Sequence, residues 1–478
     1  MVIHGKVLLF AILGLSTPTH PVLDITRADL ARVVASIDAR LARLDLPPEE
    51  LSRISEEFDV ASLAFLRGGL RQSLVDFARL DLSLQAGLDP EEISSELAAS
   101  SLRLTPAASW GGGTTDLTLE PLFSVPELAG VTLPVAVFDH SRAPAAPREL
   151  TRTRVSFDEG GMASEVRLEG VEVLEAGVDR ALLSLSPRAP VSSGLVSYSR
   201  LDRSPEELRA ELLTGLDGAN PEPASLVRVF QERAELLRDR PSPNRTHEFL
   251  IDPREHYEEL AEELLQLQDG RDPYVERPGH LWRPIVVGRR ALPVRLYAPG
   301  SVVESDEPVA LVVALHGAGG DESMFVELEG LIDLVGMAEE REFLLVSPRT
   351  PDWFYGTRSW TALVDEMDRC YGVDRERVFV LGHSMGAAAA STLTRAGASP
   401  LAGAGFLAGM QEPRPREGVK MVFVAGADDP LIREGAIEAA ARSCSGEFRS
   451  FAGLGHTLCL GPASEWILDQ FGILEAGR

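Results

Sequence analysis

The sequence predicts an α/β protein in which a mostly parallel sheet at the carboxyl end is preceded by helical and β-rich regions. Strand-like and helix-like patterns alternate from about residue 280 onwards, and residues 309–315 (VALVVAL) form a continuous apolar run. Such a run is typical of a parallel strand that helices cover on both faces. Apolar residues at helical spacing between about residues 24 and 104 predict that the chain begins with helices.

The composition is that of a soluble protein with several domains. Of 478 residues, 44% are hydrophobic and 25% are charged, which excludes a disordered or collagen-like chain. The formal net charge of −27 makes nucleic acid a poor partner, since both surfaces are negative. Three cysteines are too few for a disulfide framework, and no cysteine–histidine cluster indicates a zinc site.

Residues 1–20 have the pattern of a signal peptide. Lys6 precedes nine apolar residues, 7–15 (VLLFAILGL), a run too short to span a bilayer. We therefore expect a secreted or periplasmic protein. The alternative is a buried N-terminal strand in a cytoplasmic protein, because residues 16–20 lack an Ala-x-Ala cleavage site. No other stretch is apolar enough for a membrane span.

The region before the sheet divides into three parts. Residues 21–108 are predicted to be helical, with helix starts at Pro48 and Pro90, each followed by acidic residues. Residues 109–200 carry alternating, β-branched runs between turns, which predicts a β-rich module or a small β-sandwich. Residues 201–275 return to helices. No chemical motif marks this region; it could shield a site, dock a partner or aid binding of a polymer.

Residues 276–478 are predicted to form the catalytic domain. The expected elements, in order, are a hairpin over 284–299, strands over 309–315 and 343–347, helices over 323–340 and 359–371, a strand over 377–381, a helix over 385–396, strands over 419–425 and 448–451, and a helix over 463–471.

One motif stands above background in this domain. Gly382-His383-Ser384-Met385-Gly386 fits G-x-S-x-G, and it falls between a predicted strand and a predicted helix. That context places the serine hydroxyl on a sharp turn at the carboxyl end of the sheet, beside the amide groups of a helix N-terminus. The sequence therefore predicts Ser384 as a nucleophile.

A serine nucleophile needs a base that a carboxylate orients. His456, in the Gly-rich loop after the last predicted strand, is the only histidine that follows Ser384. Asp428 and Asp429 follow the preceding strand, and either could be the acid. We choose Asp429, because a residue next to Pro430 can be fixed to face the imidazole.

An oxyanion hole completes the predicted site. The loop after the strand at 309–315 can supply one backbone N–H, from Ala318, and the residue after the nucleophile, Met385, can supply the second. By their positions in the two motifs, His316 and His383 are predicted to be structural.

Four segments resemble the α/β-hydrolases, and in particular their esterase and poly(3-hydroxybutyrate) depolymerase-like, prolyl-oligopeptidase-like branch. They are LHGAGGDE (315–322), YGVDRERVFVLGHSMGA (371–387), AGADDPL (425–431) and GLGHT (453–457). The resemblance covers residues 280–478 and implies Ser384 as nucleophile, Asp429 as acid and His456 as base. It implies nothing about residues 21–275.

The expected reaction is hydrolysis of a carboxylic ester in a small molecule or a polymer, through an acyl-enzyme, without a metal or other cofactor. Two alternatives remain: a serine peptidase of the prolyl-oligopeptidase type and an inactive binding protein. Aromatic residues at 353–355 and Trp360 could line the pocket or pack beneath it, and Arg349 could bind substrate or pair with Asp352. Cys444 and Cys459 are expected to be two unpaired thiols; the alternative is a disulfide between them in an exported protein. The natural substrate and the oligomeric state are left open.

Overall fold

The computed structural model describes residues 25–107, 113–142, 146–190, 195–219, 221–238, 251–350 and 356–474. The predicted signal peptide lies outside these ranges and stays a prediction. Among the residues described, no helix combines the length and apolar character that a membrane span requires.

The chain begins with helices, as predicted. They are α1 (Arg27–Leu41), α2 (Pro48–Leu66), α3 (Leu70–Ser83) and α4 (Pro90–Ser100). Local sequence explains where α4 starts. The Asp89 side chain accepts hydrogen bonds from the N–H groups of Glu91 and Glu92, and the Glu92 side chain accepts one from the Asp89 N–H. This capping box satisfies amide groups that a helix start otherwise leaves without partners.

Two antiparallel sheets follow. Their strands are β1 (Leu102–Pro106), β2 (Thr114–Pro121), β3 (Thr132–Asp139), β4 (Arg148–Ser156), β5 (Val166–Glu172), β6 (Arg180–Ser184) and β7 (Val196–Ser199). The strand orders are β1-β2-β5 and β4-β3-β6-β7. The first strand, β1, precedes residue 109, where we predicted the β-rich part to begin. Apolar side chains of both sheets share one core with α1–α4.

Between these sheets and the carboxyl-terminal sheet, the described residues form three helices: α5 (Pro205–Gly215), α6 (Ser225–Ala234) and α7 (Pro253–Gln268). A buried ion pair joins two of them, since the Arg233 Nε donates to Glu263 at 2.9 Å. The Tyr274 hydroxyl donates to the same carboxylate at 3.0 Å. A buried carboxylate needs several such donors to offset its loss of hydration.

The last part of the chain is an eight-stranded sheet with helices. Its strands are β8 (Gly279–Val287), β9 (Arg290–Ala298), β10 (Val309–Leu315), β11 (Phe343–Pro348), β12 (Val373–His383), β13 (Gly403–Leu407), β14 (Lys420–Gly426) and β15 (Glu447–Phe451). Its helices are α8 (Gly300–Val303), α9 (Met324–Glu327), α10 (Leu334–Arg341), α11 (Thr357–Tyr371), α12 (Met385–Arg395), α13 (Glu434–Ser443) and α14 (Leu460–Phe471).

The strand order is β15-β14-β13-β12-β10-β11-β9-β8. Neighbours from β15 to β11 run parallel, whereas β9 pairs antiparallel with both β8 and β11. The predicted hairpin and the predicted strands at β10 and β11 are confirmed.

Both faces of this sheet are covered by helices from earlier in the chain. Along β10, alternate side chains belong to two different cores. Ala310 and Val312 pack in the core that includes α1–α4, and Leu311 and Val313 pack in the core that includes α5–α7. Because successive side chains of a strand point to opposite faces of the sheet, α1–α4 pack on one face and α5–α7 pack on the other.

Two predictions for this sheet were wrong. The helix over 323–340 is broken into α9 and α10, because a Cβ at Gly330 would lie 2.0 Å from the Asp38 carbonyl of α1, so the backbones meet there. Strand β13 was not predicted. Its sequence, GAGFL, is rich in small residues, and a Cβ at Gly405 would lie 2.9 Å from Ile467 of α14. Close helix packing therefore excludes the branched side chains that mark a strand.

Candidate active site

Ser384 lies on a strained turn between β12 and α12. Its φ of 53° and ψ of −112° are unusual for a residue with a side chain. The flanking positions must be glycine, because neighbouring backbone atoms leave no room for a Cβ atom. A Cβ at Gly382 would lie 2.3 Å from the Gly386 carbonyl oxygen, and one at Gly386 would lie 1.9 Å from the Leu315 carbonyl oxygen. The turn therefore has the geometry that the G-x-S-x-G motif predicts.

The loop after β10 lies against this turn. A Cβ at Gly317 would lie 3.2 Å from the Ser384 Cβ, which shows how closely the two segments approach. His316 fixes the loop from inside, because its Nε2 accepts a hydrogen bond from the Thr350 N–H at 2.9 Å. Burial lowers the pKa of His316 to about 4. A neutral, buried and hydrogen-bonded ring fits the structural role predicted for it.

His456 and Asp429 form a hydrogen-bonded pair. The His456 Nδ1 donates to the Asp429 Oδ2 at 2.8 Å, and the Asp429 side chain is fully buried. The other carboxylate oxygen, Oδ1, accepts from the N–H groups of Leu431 and Ile432. Asp428 is exposed. Since Nδ1 carries the proton, Nε2 is the nitrogen able to accept one from a nucleophile.

Ser384 and His456 line one cavity of about 210 Å³ but do not touch through a hydrogen bond. Within the described residues, the Ser384 hydroxyl has no hydrogen-bond partner. Catalytic hydrogen bonds are often long before substrate binds. The N–H groups of Ala318 and Met385 also donate no hydrogen bond to any described residue, which is what an oxyanion hole requires. Ala318 lines the cavity as well.

Two residues of α2 that were not predicted from the sequence hold the loop that carries His456, residues 453–457, called here the histidine loop. The Asp59 Oδ2 accepts a hydrogen bond from the His456 N–H at 2.7 Å, and the Ser55 Oγ accepts one from the Gly455 N–H at 2.8 Å. Burial raises the pKa of Asp59 to about 6, although the His456 N–H opposes the shift. No local signal could have identified these contacts, because about 400 residues separate the partners.

His383, the second residue of the motif, is buried and forms a hydrogen bond with the histidine loop. Its Nε2 donates to the His456 carbonyl oxygen at 3.0 Å, and the two ring centroids are 4.8 Å apart. Burial lowers the pKa of His383 well below its usual range. The ring is therefore neutral and connects the elbow to the histidine loop.

The segment with the aromatic residues predicted to line the pocket or to pack beneath it is only partly described. Residues 351–355, which include three of its aromatic side chains, lie outside the described residues. Arg349 donates to Glu322 at 2.7 and 2.9 Å. Trp360 is 1% exposed, donates to the Pro400 carbonyl oxygen and packs in the core that includes α5–α7, so it does not line the cavity.

The three cysteines are free and buried, which agrees with the expected unpaired thiols. Within the described residues, no group of three histidine, cysteine or acidic side chains is arranged to hold a metal ion.

Comparison with known proteins gives matches to solved structures alone. No family model and no curated protein matches the sequence. FphF, a fluorophosphonate-binding serine hydrolase of Staphylococcus aureus, is 15% identical; the match covers 42% of this chain and 100% of that one, with a TM-score of 0.35. An S-formylglutathione hydrolase from Agrobacterium tumefaciens is 13% identical; the match covers 40% of this chain and 92% of that one, with a TM-score of 0.32. EstE1, a thermostable carboxylesterase cloned from a metagenomic library, is 16% identical; the match covers 41% of this chain and 87% of that one, with a TM-score of 0.31.

Proposed function

We propose that this protein is a serine hydrolase of the α/β-hydrolase fold that cleaves carboxylic esters. The observation that carries the proposal is the meeting of three parts at one cavity. Ser384 lies on a strained elbow, His456 is oriented by a buried Asp429, and two amide groups beside the serine have no partner in the described residues. The sequence motifs further favour the esterase and poly(3-hydroxybutyrate) depolymerase-like branch.

The proposed reaction proceeds through an acyl-enzyme. His456 Nε2 takes the proton of Ser384 as the oxygen attacks the ester carbonyl, and Asp429 stabilises the imidazolium that forms. The N–H groups of Ala318 and Met385 donate to the oxyanion. The imidazolium then protonates the leaving alkoxide. Water, activated by the same imidazole, releases the acid and restores the serine.

Covalent labelling tests the nucleophile. A fluorophosphonate probe should modify the wild-type protein at Ser384, identified by mass spectrometry of the labelled peptide, and should not modify Ser384→Ala. Ser391→Ala, on the following helix, is the control that should retain labelling. Absence of an adduct from folded wild-type protein would favour the binding-protein alternative.

A substrate panel tests the bond. p-Nitrophenyl esters should be hydrolysed with a higher kcat/KM than peptide p-nitroanilides, because p-nitrophenoxide is a better leaving group than p-nitroanilide. Faster cleavage of the anilides, with loss of that activity in Ser384→Ala, would replace the esterase proposal by the peptidase alternative.

A further inference from the structure

The cavity in front of Ser384 has an apolar wall made by the amino-terminal helices. Leu30, Ala31 and Val34 of α1 line it from one side, and Phe58 and Phe65 of α2 line it from another. Phe77 of α3 also lines the cavity and packs edge-on against Phe58, with ring centroids 4.9 Å apart. The surface that faces a bound substrate there is therefore aliphatic and aromatic.

The charged groups at this cavity have partners in the protein. The Arg27 Nη2 donates to the Gly319 carbonyl oxygen at 2.9 Å. Arg295 donates to Glu327, from Nε at 3.1 Å. The Asp321 carboxylate accepts from the Ser323 N–H. Of these groups, Glu327 is neutralised by Arg295, whereas Arg27 is partly exposed, is bonded to an uncharged oxygen and keeps its charge. A charged substrate group packed against the buried side chains of Leu30, Phe58 and Phe77 would lose its hydration without gaining a counter-ion, which disfavours it there.

Helix α2 shows which part of a substrate meets the wall. Asp59 contacts the loop that carries His456. Phe65 lies about 9 Å further along the helix and contacts the oxyanion loop, residues 316–320, because a Cβ at Gly319 would lie 2.7 Å from the Phe65 ring. The leaving oxygen must face His456, which protonates it. The acyl chain therefore extends the other way, towards Phe65, Leu30 and Val34.

We propose that α1–α3 form an acyl-binding pocket and that the substrates are esters of uncharged, apolar acids with medium-length chains. This inference rests on the proposed function and adds its substrate class. It also gives the amino-terminal helices a role in specificity, since they supply most of the apolar side chains of the wall, and Met324, Leu328 and Leu331 supply the rest. Each buried methylene should raise kcat/KM until the pocket is filled.

Acyl-chain selectivity tests the pocket. The ratio of kcat/KM for p-nitrophenyl octanoate to that for the acetate is measured in the wild type, in Val34→Trp on α1 and in Ser62→Trp, which lines the cavity from α2. Both substitutions fill the pocket and should lower the ratio by roughly tenfold or more. Val60→Trp is the matched control, because Val60 lies on α2 but is 53% exposed; its ratio should change by less than about twofold.

Two further readings separate the outcomes. A p-nitrophenyl hemiglutarate should be a poorer substrate than the butyrate, and an alkyl acetate series should show a weaker dependence on chain length than the acyl series. If wild-type protein labels at Ser384 but both tryptophan variants keep the wild-type ratio, the pocket proposal is wrong and the hydrolase proposal stands. If the wild type neither labels nor hydrolyses any ester, the proposed function fails. Thermal unfolding of each variant identifies any that does not fold, and the other variant then decides.

Discussion

Carboxylates from two distant parts of the chain hold His456. Asp429 accepts a hydrogen bond from the ring Nδ1, and Asp59 accepts one from the main-chain N–H. The first contact fixes the tautomer and stabilises a positive ring, and the second fixes the position of the loop. These roles differ chemically, so substitutions at the two sites should have different signatures.

Asp429→Asn should lower kcat/KM for p-nitrophenyl acetate by about 10³-fold or more, because an amide no longer stabilises the imidazolium and can favour the wrong tautomer. Asp428→Asn is the matched control, because Asp428 is the exposed neighbour of Asp429 and makes no hydrogen bond with the ring. This substitution should change kcat/KM by less than about threefold. Steady-state kinetics of the two variants measures the difference. Equal losses, or a larger loss in Asp428→Asn, would contradict the assignment of Asp429.

Asp59 should make stability depend on pH. Its pKa is raised by burial from an ordinary 3.8 to about 6, so protonation favours the folded state. The stability this supplies is complete below about pH 3.8 and is lost as the pH rises through about 6. Over that interval the contribution is roughly 3 kcal/mol. The charges of His456 and Asp429 face the same carboxylate and act in opposite directions on it.

Asp59→Asn should remove this part of the pH dependence. The difference in unfolding free energy between wild type and variant should change by roughly 2–3 kcal/mol between about pH 4 and pH 7.5, as measured by urea denaturation at both values. Asp45→Asn, at an exposed position after α1, should leave the difference constant. Asp38, whose pKa burial also raises to about 6, remains in both proteins and cancels. Parallel pH curves for wild type and Asp59→Asn would contradict the prediction.

At the scale of single elements, the sequence predicts correctly the helices, strands and turns that are determined by local residue patterns. The apolar run of β10 and the Gly-x-Ser-x-Gly elbow are local signals, and both elements form where predicted. Strand β13 was missed because its glycines are selected by contact with α14, and the break between α9 and α10 was missed because α1 lies against Gly330. Both are set by tertiary contacts, which periodicity does not record.

Two glycines at equivalent helix positions should respond oppositely to alanine. Gly386 is the second residue of α12, and a Cβ there would lie 1.9 Å from the Leu315 carbonyl oxygen. Gly386→Ala should therefore displace the elbow, lower stability by about 2 kcal/mol or more, and reduce fluorophosphonate labelling. Gly435 is the second residue of α13, with no atom within 4 Å of its Cβ position. Gly435→Ala should raise stability by about 0.5–1 kcal/mol. Thermal denaturation of both variants is the measurement, and a stable, fully labelled Gly386→Ala would contradict it.

At the scale of the whole molecule, the amino-terminal helices and the carboxyl-terminal sheet form one structure. Asp38 of α1 accepts from the Leu331 N–H at 2.7 Å, and Ser55 and Asp59 of α2 hold the histidine loop. The same helices share a core with β10, β12 and β14. The role of this region could not be predicted from the sequence, because nothing in its composition indicates a partner several hundred residues away.

This arrangement predicts that the site and the helices unfold together. Ile54 of α2 is fully buried in the shared core, so Ile54→Ala should lower the unfolding free energy by roughly 2–4 kcal/mol. In a urea titration, loss of helical circular dichroism and loss of fluorophosphonate labelling should shift to lower urea by the same amount, because removal of α2 releases the histidine loop. Val60→Ala, on the exposed face of the same helix, should shift neither curve appreciably. Labelling that persists after the helices have melted would show that residues 280–478 hold the catalytic geometry alone, and the shared core would then be incidental to the site.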